Sequence, residues 1–162
     1  MTTVIGCGNE TAGDDMLGHV LVERLAKSGA EGCVFRTIDN PIDLLEVVGH
    51  EGTTLIVDGV VGDAPAGTIH LMKLDVSEDA TARTISGHTL DLEAVVRLGR
   101  ALGRPLPQLM LLGIEIESAE PGTLMTEAVR GAVEYCQEHF AELRASAERG
   151  EERTIVLAAL SS

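Results

Sequence analysis

The sequence lacks tryptophan altogether, and Phe35, Tyr135 and Phe140 are its only other large aromatic residues. A core must therefore be aliphatic, which a hydrophobic content of 44% permits. Positive charge is the second shortage: 12 Lys and Arg stand against 26 Asp and Glu, a formal net charge of −14. Duplex nucleic acid and anionic lipid both require basic patches, so neither fits as a partner. The excess acid reads first as a solvated surface and second as complementarity to a basic protein. Cysteine is sparse and odd in number, and Cys7, Cys33 and Cys136 show no C-x-x-C spacing. That excludes a disulfide framework or a zinc knuckle and points to reduced thiols in the cytoplasm. No apolar run reaches membrane-spanning length, and no basic segment leads into an apolar stretch near Met1. The expectation is a soluble cytoplasmic monomer with no membrane attachment, and 162 residues suit one domain.

What is present is the alternation of an α/β chain. The β-branched run Thr3–Ile5 reads as a buried strand, followed by the polar, glycine-rich stretch Gly6–Gly18. Leu17, Val20, Leu21 and Leu25 then recur at helical spacing until Lys27–Gly29. Val34–Ile38 predicts a second strand, and Pro41 starts a short helix that stops at Gly49. Thr53–Val57 is a third strand whose apolar character on both faces suits the middle of a parallel sheet. Thr68–Leu74 alternates with period two after a short turn, which predicts an antiparallel edge strand. Residues 75–87 carry no clear period. A third helix runs over Leu90–Leu98, Leu109–Ile114 is a further buried strand, and Thr126–Leu143 is a long amphipathic helix. The order predicts a single three-layer α/β/α domain with a mostly parallel, twisted five-stranded sheet. This domain covers 1–145. Residues 146–162 read as a flexible or surface-packed tail, with the apolar Thr154–Leu160 as an alternative partner-binding or oligomer-forming segment.

Ligands of open α/β sheets bind beyond the carboxyl ends of the strands. Asp14 and Asp15 follow the first strand, Asp39 the second and Asp58 the third, while Glu115, Glu117 and Glu120 follow the last. His88 opens the third helix. Converging carboxylates repel unless a cation or a shared proton relieves them. Two aspartates and a histidine offer oxygen and imidazole donors to a borderline divalent metal. Each residue alone has a plainer role: Asp14 as a helix cap, Asp58 as a turn residue, His88 as a solvent-side cap. Together, at three element ends, they point to a site. Other motifs carry less. Gly6-Cys7-Gly8 is no dinucleotide fingerprint, because Thr11 stands where the third glycine is needed. Cys7 reads as a small packing residue. His19, four residues after Asp15, reads as partly buried or exposed beside the site.

The motifs Gly6-Cys7-Gly8-Asn9 with Gly13-Asp14-Asp15-x-x-Gly18, Leu55-Ile56-Val57-Asp58, Ser86-x-His88 and Gly113-x-x-x-Glu117-Ser118-x-Glu120-Pro121-Gly122 occur in this order. Over residues 3–143 the chain resembles the hydrogenase maturation endopeptidases, which trim a C-terminal peptide from the large subunit of nickel–iron hydrogenases once nickel is in place. The resemblance implies a hydrolase of the aspartic-endopeptidase kind whose metal-recognition and catalytic positions are Asp15, Asp58 and His88. It implies Asp39 near the substrate, with Asn9 and Glu117 as further substrate-side candidates, and leaves Asp14 as cap and support. It implies no permanently bound cofactor. The nickel belongs to the precursor, and zinc or cadmium would substitute in vitro. Three positions depart from the family pattern: Met16 where glycine is frequent, His19 where the residue is usually apolar, and Ile116 where a proline often stands. Two alternatives share the same residues, a non-catalytic nickel-sensing or docking protein for the precursor, and a metal-dependent hydrolase of a small molecule.

Overall fold

In a computed structural model of the protein, alternate side chains of the central strands divide between two apolar layers. The structure describes residues 1–9, 12–49, 51–74 and 88–157, the side chains of 88–91 excepted. The central strands are β1 (Thr2–Cys7), β3 (Thr53–Val60) and β5 (Gln108–Glu115). From them Val4, Leu55, Val57, Met110 and Leu112 enter one layer, and Ile5, Cys7, Ile56, Val60 and Leu111 the other. The first layer is closed by α1 (Leu17–Lys27), α4 (Glu127–Glu138) and α5 (Phe140–Glu148). The second is closed by α2 (Leu44–Val47) and α3 (His88–Ala101). Every residue of β3 is buried, as expected for a strand covered on both faces.

With β2 (Cys33–Ile38), β4 (Ile69–Lys73) and β6 (Arg153–Ile155), the sheet has six strands in the order β2-β1-β3-β5-β4-β6. The first four are parallel, β4 is antiparallel to β5, and β6 is antiparallel to β4. The mostly parallel α/β/α architecture read from the sequence is thus present, with one strand more than the five expected. Consequently β4 is an inner antiparallel strand, and the sheet edges are β2 and β6. The extra strand follows from how α5 ends. Gly150, at φ +68°, donates to the Ala147 carbonyl at 3.0 Å, and Glu151 donates to Ser146 at 2.9 Å. This Schellman arrangement turns the chain back along β4. There the Glu152 carboxylate accepts from Lys73 N at 3.1 Å.

Two further boundaries differ from the periodicity. The long helix expected over Thr126–Leu143 is divided at His139, whose φ of −108° and ψ of 20° leave the helical region. The His139 backbone N–H donates to the Tyr135 carbonyl at 2.9 Å while its Nδ1 lies 3.0 Å from the same oxygen, and the two rings stack with centroids 4.0 Å apart. Side-chain competition for a helical carbonyl is a recognised cause of bending. The break lets Phe140 reach the core, where its ring centroid lies 6.5 Å from that of Phe35. The third strand extends three residues beyond Val57, because Val57–Val60 remain in parallel register with Leu112–Glu115. The aperiodic stretch at 75–87 and the apolar segment after Leu157 lie outside the described residues.

The tightest layer contact is between α1 and the two strands beneath it. A Cβ at Gly18 would lie 2.5 Å from the Cys7 carbonyl oxygen and 2.6 Å from that of Val57. A Cβ at Gly6 would overlap the Gly18 carbonyl. Backbone meets backbone here, so no rotamer change relieves an added methyl. At the other end of the sheet, Arg144 donates to the carbonyls of Glu31 and Gly32 at 2.7 and 3.0 Å, and Thr2 Oγ1 donates to Glu148 at 2.6 Å. Among the described residues no helix is long and apolar enough to cross a membrane.

Gly18→Ala is expected to destabilise the fold by about 3 kcal/mol or more, the upper range of overpacking. Gly131→Ala, with nothing within 4 Å of its Cβ position, should instead stabilise α4 by about 0.5–1 kcal/mol through helix propensity. Urea titrations followed by far-ultraviolet circular dichroism measure both, and equal effects would contradict the backbone contact. The Thr2 hydroxyl, and then Arg144, hold the Glu148 carboxyl below its ordinary 4.5. Its contribution is therefore present above that value and is lost as the pH falls through the lower folded value. Glu148→Gln should cost up to about 1 kcal/mol at neutral pH, as expected for a half-exposed pair, and nothing in strong acid.

Candidate active site

The loop that leaves β1 is held by two neighbouring aspartates with different work. Asp14, fully buried, lies in a 3-10 turn at Gly13–Met16. Its Oδ2 accepts from the backbone N–H of Glu117 and Ser118 at 2.8 and 2.9 Å, and its Oδ1 accepts from Thr126 N at 2.6 Å. The Thr126 hydroxyl adds contacts at 3.0 Å to both oxygens, and Asp14 N donates to the Ser118 carbonyl at 2.7 Å. Asp14 thus caps no turn of its own. It fixes the loop after β5 and the entry to α4, where Thr126 is the N-terminal cap residue.

Asp15 points elsewhere. It is 8% exposed, and its Oδ2 and its carbonyl oxygen each accept from Asn9 N at 3.2 Å. Asp58 is wholly buried inside β3, one position past the Gly6–Val57 pairing and opposite Gly113 of β5. Gly59 N donates to Asp58 Oδ1 at 2.8 Å, and a Cβ built on Gly59 would lie 3.8 Å from Asp15 Oδ1. The two carboxyl groups therefore flank one glycine at the carboxyl ends of β1 and β3. Any side chain there would also meet Ile116 Cγ2 at 2.7 Å, so the close approach needs glycine.

The Cys7 thiol reports the same convergence. Burial raises its pKa far above the usual thiol range, and the carboxylates of Asp58, Asp15 and, more weakly, Asp39 raise it further against the Gly8 backbone bond. A thiol so held stays protonated and is a poor nucleophile. This supports the packing role over a catalytic one.

His88 is the first residue of α3. Because α3 is followed by β5, which is parallel to β1 and β3, the helix starts at the end of the sheet where Asp15 and Asp58 lie. The His88 side chain is outside the described residues. Among the described residues no three His, Cys, Asp or Glu side chains are grouped to hold a metal ion. The structure brings together two of the three expected positions and places the helix bearing the third on the same rim.

The other sequence candidates are spread around this pair. Asp39 follows β2 with its side chain 79% exposed, 3.4 Å from His19 Nε2. Asn9 and Glu117 are exposed, each tied in through its backbone N–H, Asn9 to Asp15 and Glu117 to Asp14. Glu115 is engaged away from the pair, accepting from Gly62 N at 2.9 Å and lying 3.0 Å from His70 Nε2. His19 is more central than its sequence context indicates. It is 8% exposed and its Nε2 lies 2.9 Å from the Gly8 carbonyl oxygen. Its four-residue spacing from Asp15 was the available signal, but the contact to Gly8 exists only once α1 packs over β1.

A family model described as hydrogenase maturation protease (HycI) matches residues 21–142. The chain belongs to the hydrogenase maturation protease family. It is accordingly a hydrolase, an endopeptidase acting in hydrogenase maturation. Solved structures agree with the fold. An endopeptidase from Escherichia coli is 26% identical with a TM-score of 0.71, and the match covers 94% of this chain and 96% of that one. The hydrogenase maturating endopeptidase HybD from E. coli is 25% identical with a TM-score of 0.69, covering 95% and 96%. The [NiFe] hydrogenase maturation protease HybD from Thermococcus kodakarensis shares the fold at 20% identity and a TM-score of 0.66, covering 88% and 97%. A search of curated proteins gave no match.

In this maturation protease Asp14→Ala should cost about 3–5 kcal/mol, since it strands three backbone donors that the carboxylate satisfies. Asp15→Ala should cost less, because the Asn9 N–H that its carboxylate accepts also has the Asp15 backbone oxygen at the same distance. Chemical denaturation of the two variants measures the difference. Equal losses would show that the neighbours do not divide their work in this way.

Proposed function

We propose that this maturation protease removes the C-terminal extension of a nickel–iron hydrogenase large-subunit precursor after nickel insertion, and that Asp15, Asp58 and His88 read the nickel carried by the precursor. The observation that carries this reading is the convergence of the Asp15 and Asp58 carboxyl groups on Gly59 at the carboxyl rim of the sheet. Two carboxylates withdrawn from water beside one glycine suit a cation, and oxygen donors with an imidazole suit nickel or zinc. The protease holds no resident metal in this reading. It supplies donors, and the substrate supplies the ion.

Cleavage then depends on assembly. Docking of a loaded precursor places its nickel beside the rim, where Lewis acidity can polarise the scissile carbonyl or acidify water. One of the two aspartates serves as the base that receives the proton of the attacking water. Asp39, exposed at the end of β2, and the Asn9 and Glu117 side chains line the approach for the extension. A precursor without nickel presents the same peptide but leaves the carboxylates unengaged, so cleavage waits for metal loading.

Incubation with nickel-loaded and nickel-free precursor, followed by mass measurement of the products, tests this. The loaded form should lose its extension and the other should remain intact. Cleavage of both at equal rates would remove the nickel-reading role, and binding without cleavage would remove the reaction. Zinc or cadmium added to the protease alone should raise its melting temperature, and Asp58→Ala should abolish that rise. An equal rise in the variant would place the ion elsewhere.

A further inference from the structure

We infer that His19 is a positioning residue for the reaction, acting through one peptide group on the carboxylate of Asp15. The inference rests on the role proposed above for Asp15. Its geometry concerns the Gly8–Asn9 peptide. The Gly8 carbonyl oxygen and the Asn9 N–H belong to one planar unit and point to opposite sides of the chain. The N–H is directed at Asp15, with Oδ2 and the backbone oxygen each at 3.2 Å. The carbonyl oxygen is directed at His19 Nε2, at 2.9 Å. One end of the plane thus serves Asp15 and the other is held by His19.

The plane needs such a hold because of where it starts. Gly8 has φ +139°, a region that L side chains rarely adopt, and a Cβ there would overlap the Asp15 carbonyl oxygen. The position must be glycine, and glycine does little by itself to fix the orientation of the peptide that follows it. His19 fixes it from a rigid element. Its backbone lies in the first turn of α1, anchored next door by the Gly18 contact with Cys7 and Val57, and its ring is nearly buried. The chemistry also sets the tautomer. A carbonyl oxygen only accepts, so the proton resides on Nε2, and the Asp39 carboxylate 3.4 Å from the same nitrogen favours it there. Asp39 therefore touches the Asp15 carboxylate indirectly, through His19 and the shared peptide.

The substitutions that separate positioning from packing are His19→Leu, which keeps bulk without a donor, and His19→Gln, whose amide N–H can reach the Gly8 oxygen. For a nickel-loaded precursor, His19→Leu should lower kcat tenfold or more with KM changed less than threefold, and His19→Gln should restore kcat to within threefold of wild type. A second measurement needs no substrate. In labelled protein the Asn9 amide proton should resonate downfield, as a bond to a carboxylate requires, should move upfield in His19→Leu, and should return in His19→Gln. Full kcat in His19→Leu, or a Gln variant no better than Leu, overturns the inference, as does an Asn9 resonance that none of these changes moves. If the wild-type protein cleaves no precursor while the Asn9 resonance responds as described, the hold stands and the proposed substrate falls.

Discussion

A single buried carboxylate ties together the two loops that shape the rim bearing Asp15 and Asp58. Asp14 sits between β1 and α1, yet among the described residues its side-chain hydrogen bonds go to residues 117, 118 and 126, which follow β5. A charge fully removed from water is tolerable only when hydrogen bonds take the place of hydration, and backbone N–H groups do this without the entropy loss of long side chains. The consequence is positional. With Asp14 fixed, Asp15 is held beside the ends of β1 and β3. That is where its carboxyl group approaches Gly59.

The rim is thus made from absences as much as from side chains. Gly6 and Gly18 bring α1 down onto the sheet, Gly8 turns the chain out of β1, and Gly59 leaves room between two acids. At Gly6, Gly8 and Gly18 a methyl group would meet backbone, and at Gly59 it would meet the Ile116 side chain. The acids themselves come from different kinds of element. Asp58 is part of a fully buried strand and cannot move independently of the sheet, whereas Asp15 lies in a short 3-10 turn and takes its position from hydrogen bonds.

Much of this was legible in the sequence, and the reasons are specific. The short, turn-bounded apolar runs at Thr53–Val57 and Leu109–Ile114 read as buried strands, and the helix-like spacing after Asp15 marked α1. The carboxyl-end rule then brought Asp15, Asp39, Asp58 and His88 to one rim. Periodicity failed where tertiary contacts outweigh it. The three-residue strand β6 carries too few residues to show alternation, and its pairing depends on the turn at Gly150. The division at His139 arises from one side chain bonding to a helical carbonyl, inside a stretch whose apolar spacing runs on unbroken. Asp58 looked like a residue after a strand because a charge rarely occurs inside one, and only the register with β5 shows the strand continuing. The Gly8–His19 contact had no local signal of its own.

The stack of Tyr135 on His139 bears on how this molecule can be observed. With no tryptophan and one tyrosine, its near-ultraviolet absorption and intrinsic emission come almost wholly from Tyr135. That ring lies against an imidazole at the seam between α4 and α5, not beside the paired carboxylates. Optical signals from the native protein therefore follow the seating of α5. Events at the rim reach a spectrometer only through a label placed there or through a change in the substrate.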